Sequence, residues 1–263
     1  MTALRKYIKA FLFFLIVVFF LGATYLVNLI IGSKKRRLRY CSRITSFYSK
    51  LILIVCGVRV ETRNLDKLNE RKENYLIVSN HLSYLDTFVI DTVVPAIFIA
   101  NSEMEDEFPL GLVTKNSGGV FVERRNRGSL LKDIGNIKDI LNMGLDMVLF
   151  PEGTTSDGEG VMKFRTPFLT SAIESNVDIL PICLRYKTIE GKDVTASNKN
   201  LVFFYGNIDF FEHFFRMLEL KSIVVELMEL ESIEVGPESS RKEAGRTAHG
   251  RISDAYHGGP ARV

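Results

Sequence analysis

Side chains suited to covalent or metal chemistry are scarce in this sequence. Its three cysteines, Cys41, Cys56 and Cys183, are too few and too scattered for a disulfide framework or a zinc cluster, a usage that fits a reducing compartment. The four histidines, His81, His213, His249 and His257, have no His-x-x-x-His or Cys-x-x-Cys company, so no protein-built metal site is expected. No Gly-x-Ser-x-Gly elbow occurs, which argues against a serine nucleophile of that kind. The net charge is only +3 and no extended basic face is visible, so nucleic acid is a poor candidate partner. Internal repeats and an interdomain linker are also lacking.

What is abundant is apolar. Of 263 residues 46% are hydrophobic, with a mean hydropathy of +0.10, enough for one large core plus an appendage that leans towards membrane contact. Phe11 to Ile31 is almost uninterruptedly apolar, with Gly22, Thr24 and Asn28 its weak points. About 20 such residues suffice to cross the hydrocarbon core. Arg5, Lys6 and Lys9 ahead of it resemble a signal-peptide start, but the run is long and ends in Lys34-Lys35-Arg36-Arg37 without a small-residue cleavage site. The basic flank outweighs the three leading charges, which places residue 34 onward, and the main domain, on the cytoplasmic side. Leu38 to Gly57 reads as a second helix lying on or dipping into the membrane, its basic residues available to anionic headgroups.

From Val58 the pattern becomes α/β, a mixed central sheet flanked by helices. Strands are expected at Val58–Thr62, Tyr75–Ser79, Ala96–Ala100, Val120–Glu123, Met147–Phe150, Ile179–Leu184, Leu201–Tyr205 and Ile223–Glu226. Helices are expected at Tyr84–Val94, Ser129–Met143, Pro167–Ser175 and Asp209–Leu220. Three units follow: anchoring helices over 1–57, a catalytic domain over 58–235, and a polar helix with a loose Gly-Gly-Pro end over 236–263.

Chemistry concentrates where the strand Tyr75–Ser79 runs into Asn80-His81-Leu82-Ser83-Tyr84-Leu85-Asp86. A histidine takes a hydroxyl proton near neutral pH when a carboxylate fixes its other ring nitrogen. In a helix, residues five apart point ~140° away from each other, so His81 and Asp86 can meet only if His81 precedes the helix. Ser83, a good N-cap with Asp86 three residues on, starts the helix late enough. The same residues also read as a plain Ser-x-x-Asp cap with His81 incidental to it. Two further stretches carry polar groups at strand ends: Gly118-Gly119-Val120-Phe121-Val122-Glu123-Arg124-Arg125-Asn126-Arg127 and Phe150-Pro151-Glu152-Gly153-Thr154-Thr155. Arginine forks match phosphate oxygens, and turn amides hold anionic oxygens, although each stretch alone also passes for an ordinary strand exit. Leu180-Pro181-Ile182 reads as core strand, and Cys183 as inert packing.

Asn-His-x4-Asp, Gly-x-x-Phe-Val-x-Arg, Phe-Pro-Glu-Gly-Thr and Leu-Pro-Ile, in this order, resemble the motifs of the glycerolipid acyltransferases, whose best-known type is the 1-acylglycerol-3-phosphate acyltransferase. The resemblance spans His81 to Leu184 and implies the glycerol-3-phosphate acyltransferase-like fold behind a membrane helix. It makes His81 the general base and Asp86 its orienting partner. Gly118, Phe121, Arg124, Glu152, Gly153 and Thr154 fall on the acceptor and phosphate side, and Pro181 on the acyl-donor side. No metal or cofactor is implied; acyl-CoA or acyl-carrier protein is the co-substrate, a lysophospholipid the acceptor, and membrane lipids the surroundings. The first expectation is acylation of 1-acylglycerol-3-phosphate to phosphatidic acid. Where the third motif often continues with arginine this chain has Thr155, so Lys163, Arg165, Arg125 or Arg127 would have to supply the charge, or the acceptor is a lyso-ornithine lipid or lysophosphatidylcholine. Backbone amides near Ser83 or Gly153 are the expected oxyanion donors. The rivals are a lipid hydrolase and a membrane lipid-binding protein without catalysis.

Overall fold

The computed structural model describes residues 2–70, 72–123 and 127–258. Two helices lead, α1 (Thr2–Ile30) and α2 (Lys34–Cys56). There follow β1 (Val58–Arg63), α3 (Asp66–Glu70), β2 (Leu76–Ser79), α4 (Leu85–Val93), β3 (Ile97–Asn101), α5 (Leu110–Asn116), β4 (Val120–Val122), α6 (Arg127–Asn142) and β5 (Met147–Leu149). The chain continues through α7 (Thr170–Ser175), β6 (Ile179–Ile189), β7 (Lys192–Asp193), α8 (Phe210–Met217), β8 (Ile223–Glu229) and α9 (Arg241–Tyr256).

The strands form a mixed sheet in the order β1-β8-β6-β2-β5-β3-β4, with β7 paired to β6. Pairing is parallel except where β6 meets β8 and β7. Strand β2 is buried along its whole length, which is why it reads as a continuous apolar run instead of an alternation. Because β6, β2, β5, β3 and β4 run the same way, the loops leaving β2 and β5 emerge at one edge. Such an edge is where open α/β sheets place their sites.

Helices cover both faces. On one, Val89 and Ile90 of α4 and Phe214 of α8 join Phe13 of α1 and Ile52 of α2 in a single core. On the other, Ile137 and Leu141 of α6, Ala172 of α7 and Ala248 and Ile252 of α9 pack together. The leading hairpin is therefore packed into the core of the α/β domain, and α9 is a packed layer: both outer boundaries drawn from composition, at 57 and at 235, cut through shared cores. Residues beyond 258, with most of the expected loose end, lie outside the described residues.

The start of α1 is tied to the domain. Lys6 Nζ lies 2.6 Å from Glu219 Oε1, Lys9 Nζ donates to Cys56 O at 3.0 Å and Leu220 O at 2.7 Å, and Arg5 donates to Glu219 O. The cations that resemble a signal-peptide start are fastening points. Gly57 ends α2 at φ 79, and a Cβ there would sit 2.3 Å from Lys221 O, so only glycine turns the chain into β1.

The expected strand at Leu201–Tyr205 is not one. A 3-10 turn covers Lys199–Leu201, and Phe204 N–H donates to Leu82 O at 2.9 Å, so this apolar run is buried against the histidine turn and not in the sheet. Helices α3 and α5, both short, fill gaps between strands where no helix range was named.

Candidate active site

His81 leaves β2 two residues after its last paired position and precedes α4, as the spacing required. Its Nδ1 lies 2.9 Å from Asp86 Oδ2. The same oxygen accepts Leu82 N–H at 2.6 Å and Ser83 N–H at 2.9 Å. Asp86 thus does both things foreseen for it: its carboxylate reaches back over the helix start, satisfying orphan amides, and holds the imidazole. It is 0% exposed, and its other oxygen accepts the Tyr186 hydroxyl at 2.7 Å. The imidazole stacks on Phe150, centroids 3.9 Å apart and planes 11° off parallel, and keeps 18% side-chain exposure. Nδ1 being engaged by Asp86, Nε2 is the ring nitrogen available for chemistry.

Glu152 arrives from the end of β5. Its Oε1 accepts His81 N–H at 3.1 Å and its Oε2 accepts Met162 N–H at 3.4 Å. Burial pushes its carboxyl up to about 8; the two amides pull the other way, and the Asp86 charge adds to the rise. Both oxygens face backbone, so Glu152 braces the histidine turn against the 160s loop. Ser156 N–H donates to His81 O at 2.8 Å and closes that brace.

The remaining candidates divide. Gly153, at φ 84, and Thr154 sit in the turn beside Glu152. Gly118 lies at the opposite edge: a Cβ on it would meet Leu38 of α2 at 2.7 Å and Ile97 at 3.5 Å. Its glycine lets α2 approach the sheet at φ 87, and it does not join the His81 cluster. Phe121 is mid-strand, paired with Ala100. Arg124 and Arg125 lie outside the described residues, and of Arg127 only the backbone is described. Pro181 is buried inside the sheet opposite Val78. Its carbonyl accepts Leu230 N–H at 3.0 Å, and the N–H it lacks would lie on that side, beyond the last β6–β8 pair. In the two turns expected to supply oxyanion donors, Ser83 N–H serves Asp86 and Gly153 N–H serves Phe150 O.

Lys163 and Arg165 are exposed on a loop held to the site by Met162 N–H on Glu152 and Arg165 N–H on Pro151 O at 2.8 Å. Beside the histidine turn an apolar pocket opens between α1, α2, α4, α5 and α8, with Tyr84, Leu85, Phe20, Ile52, Val113 and Phe214 among its lining. Among the described residues no group of three or more His, Cys, Asp or Glu could hold a metal ion.

Two contributors had not been singled out, Phe150 under the imidazole and Tyr186 behind the carboxylate. Phe150 stands in the Phe-Pro-Glu-Gly-Thr string and could have been taken from it. Tyr186 is 100 residues from Asp86 and carries no local signal.

The histidine is oriented by a buried carboxylate at the sheet edge, and the neighbouring Tyr84 and Leu85 line an apolar pocket, an arrangement in which an imidazole can serve as a general base. A family model described as Acyltransferase matches residues 59–185. The lyso-ornithine lipid O-acyltransferase of Brucella abortus is 32% identical over 217 residues, 80% of either chain. The 1-acyl-sn-glycerol-3-phosphate acyltransferase of Neisseria gonorrhoeae is 28% identical over 158 residues, 60% of either chain. The crystal structure of the 1-acyl-sn-glycerophosphate (LPA) acyltransferase PlsC from Thermotoga maritima superposes with a TM-score of 0.67 at 18% identity, over 100% of this chain and 99% of that one, a likeness of fold. The chain belongs to the acyltransferase family and is an enzyme that transfers acyl groups. Among the described residues one helix, Leu4–Ile30, is long and apolar enough to cross a membrane, and this together with the lipid-acyltransferase relatives points to membrane association.

Proposed function

We propose that the protein moves a fatty acyl group from a thioester, acyl-CoA or acyl-carrier protein, to the free hydroxyl of a lysolipid. His81 Nε2 takes the hydroxyl proton as the acceptor oxygen attacks the thioester carbonyl. The tetrahedral intermediate expels the thiolate, which receives the proton back from the imidazolium. Asp86 fixes the tautomer and stabilises the imidazolium. The carrying observation is the 2.9 Å contact from His81 Nδ1 to the buried Asp86, which leaves Nε2 as the ring nitrogen for the acceptor hydroxyl. The pocket's lining is apolar throughout, which suits a hydrocarbon chain. Confinement of enzyme and acceptor to one surface supplies orientation that base catalysis alone does not.

For the acceptor head group, the exposed Lys163 and Arg165 are the cations we assign to an anionic acceptor such as 1-acylglycerol-3-phosphate, supported by their tether to Glu152 and Pro151. Thr155 in the third motif favours a second reading, a lyso-ornithine lipid, because it puts no charge where a phosphate clamp would stand. Support for that reading comes also from the named activity of the Brucella relative.

We place the domain on the cytoplasmic face, supported by the basic run Lys34–Arg39 and by three free cysteines. A helix spanning the bilayer would separate residues 5–9 from the domain, yet Lys9 bonds to Cys56 O and Leu220 O. Helix α1 therefore lies along the inner leaflet with its outer face, including Phe11, Val18 and Leu29, in lipid. Labelled acyl-CoA and a panel of lysolipids, incubated with purified protein in detergent, test the reading. Acylated lysolipid is the expected product. Free fatty acid alone would mean a hydrolase, and an untouched thioester a lipid-binding protein.

A further inference from the structure

Tyr186 lies on β6, on the face of the sheet that α4 covers, and is 5% exposed. Its hydroxyl donates to Asp86 Oδ1 at 2.7 Å, while Oδ2 is shared by His81 Nδ1 and two amides. It comes from the strand next to β2, which runs into the turn holding His81. Directly after it the β6–β8 register slips: Tyr186 pairs with Val225 and Thr188 with Val224, leaving Lys187 as the extra residue of a bulge. Bulges beside sites re-aim a side chain at a cost in ladder bonding, so this interruption has a use where it stands.

We infer that Tyr186 is a positioning residue for the histidine–aspartate pair, turning the Asp86 carboxylate so that Oδ2 faces His81 Nδ1 and drawing part of its charge to Oδ1. The inference rests on His81 acting as the base. Burial first, and the Asp86 charge second, hold the phenol pKa well above its ordinary value, so it donates at every pH the enzyme meets. A buried carboxylate oxygen without that donor is unsatisfied, the plane of the carboxylate is freed, and charge shifts onto Oδ2. More charge on Oδ2 favours the imidazolium, so a higher pH is needed to free the base.

The test compares Tyr186→Phe with Phe203→Leu, the latter removing the ring 5.3 Å from Tyr186 without touching the hydroxyl. For Tyr186→Phe we expect kcat to fall about tenfold, KM for acyl-CoA and lysolipid to stay within about twofold, and the acid limb of the kcat/KM profile to rise by about half a pH unit or more. Phe203→Leu leaves that limb in place. In an Asp86→Asn background, Tyr186→Phe has no further effect of that size. Should the phenylalanine variant not fold, Tyr186→Met fills similar space and carries the same expectation. A wild-type kcat and limb in Tyr186→Phe, or an equal loss in the Asp86→Asn background, overturns the inference. If His81→Ala is inactive in the same assays, the base reading survives that failure; if His81→Ala is active, the base reading itself is wrong.

Discussion

His81 and Asp86 are five residues apart in the chain, yet Nδ1 and Oδ2 meet at 2.9 Å, because the histidine stays outside the helix that the aspartate helps to start. Asp86→Asn, with its carbonyl oxygen in the Oδ2 position, should keep the contacts from His81 Nδ1, Leu82 N–H and Ser83 N–H but turn its NH2 towards the Tyr186 hydroxyl and lose the negative charge. The imidazolium then lacks its counter-charge and kcat should fall by about 10²–10⁴ with little change in KM. Steady-state kinetics on a protein of unchanged melting temperature checks this.

Glu152 and His213 make stability depend on pH in opposite senses. The Glu152 carboxyl is raised by burial from 4.5 to about 8, so the folded state binds its proton more tightly than the unfolded chain. That contribution is full below about pH 4.5 and is lost as pH rises to about 8. His213, 0% exposed, is lowered by burial from 6.5 to about 4, so its contribution is full above about pH 6.5 and is lost as pH falls to about 4. Each slope is at most about 1.4 kcal/mol per pH unit. Between pH 4.5 and 6.5 these two contributions offset each other, so Glu152→Gln should make stability rise with pH more steeply than it does in the wild type. Urea titrations across this range read it directly.

Tyr84 OH and His213 Nδ1, 3.1 Å apart, join α8 to the histidine turn at the wall of the apolar pocket. Tyr84→Phe should cost about 1–3 kcal/mol by leaving the ring nitrogen unsatisfied. A melt showing no loss would mean that this contact is not made.

Much of the site could be read from order along the chain. The β2 run is apolar throughout because both its faces are covered, and it delivers His81 into a turn whose helix start was marked by Ser83 and Asp86. Position across the sheet could not be read. Gly118 and Glu152 belong to neighbouring motifs in the sequence, but one stands where β4 begins and the other where β5 ends, at opposite edges. Tyr186 was invisible for the same reason, being one residue of a strand whose side chain meets Asp86 only after β6 docks beside β2. The run Leu201–Tyr205 misled because burial, not sheet pairing, accounts for its apolarity.

Gly118→Ala separates the two views of that glycine. Its φ of 87 and the 2.7 Å approach of a Cβ to Leu38 predict a loss of about 1–3 kcal/mol in stability, partly recovered by Leu38→Ala. The KM for lysolipid should hold in the folded fraction. A raised KM with unchanged stability would return Gly118 to the acceptor site.

If α1 lies along one leaflet, cysteines introduced at Tyr7 and Gly32 should both react with an impermeant thiol reagent applied to the side of a vesicle where the protein was added. The natural cysteines are buried, so they contribute little background. Protection of one introduced site alone would indicate a spanning helix.

Acyl transfer from labelled acyl-CoA to a lysolipid by the wild type and by His81→Ala, measured side by side, bears most directly on the mechanism. The expected result is a loss of about 10²–10⁴ in kcat for the variant, with vesicle binding and melting temperature preserved. Transfer at an undiminished rate by His81→Ala would contradict general-base catalysis at this site.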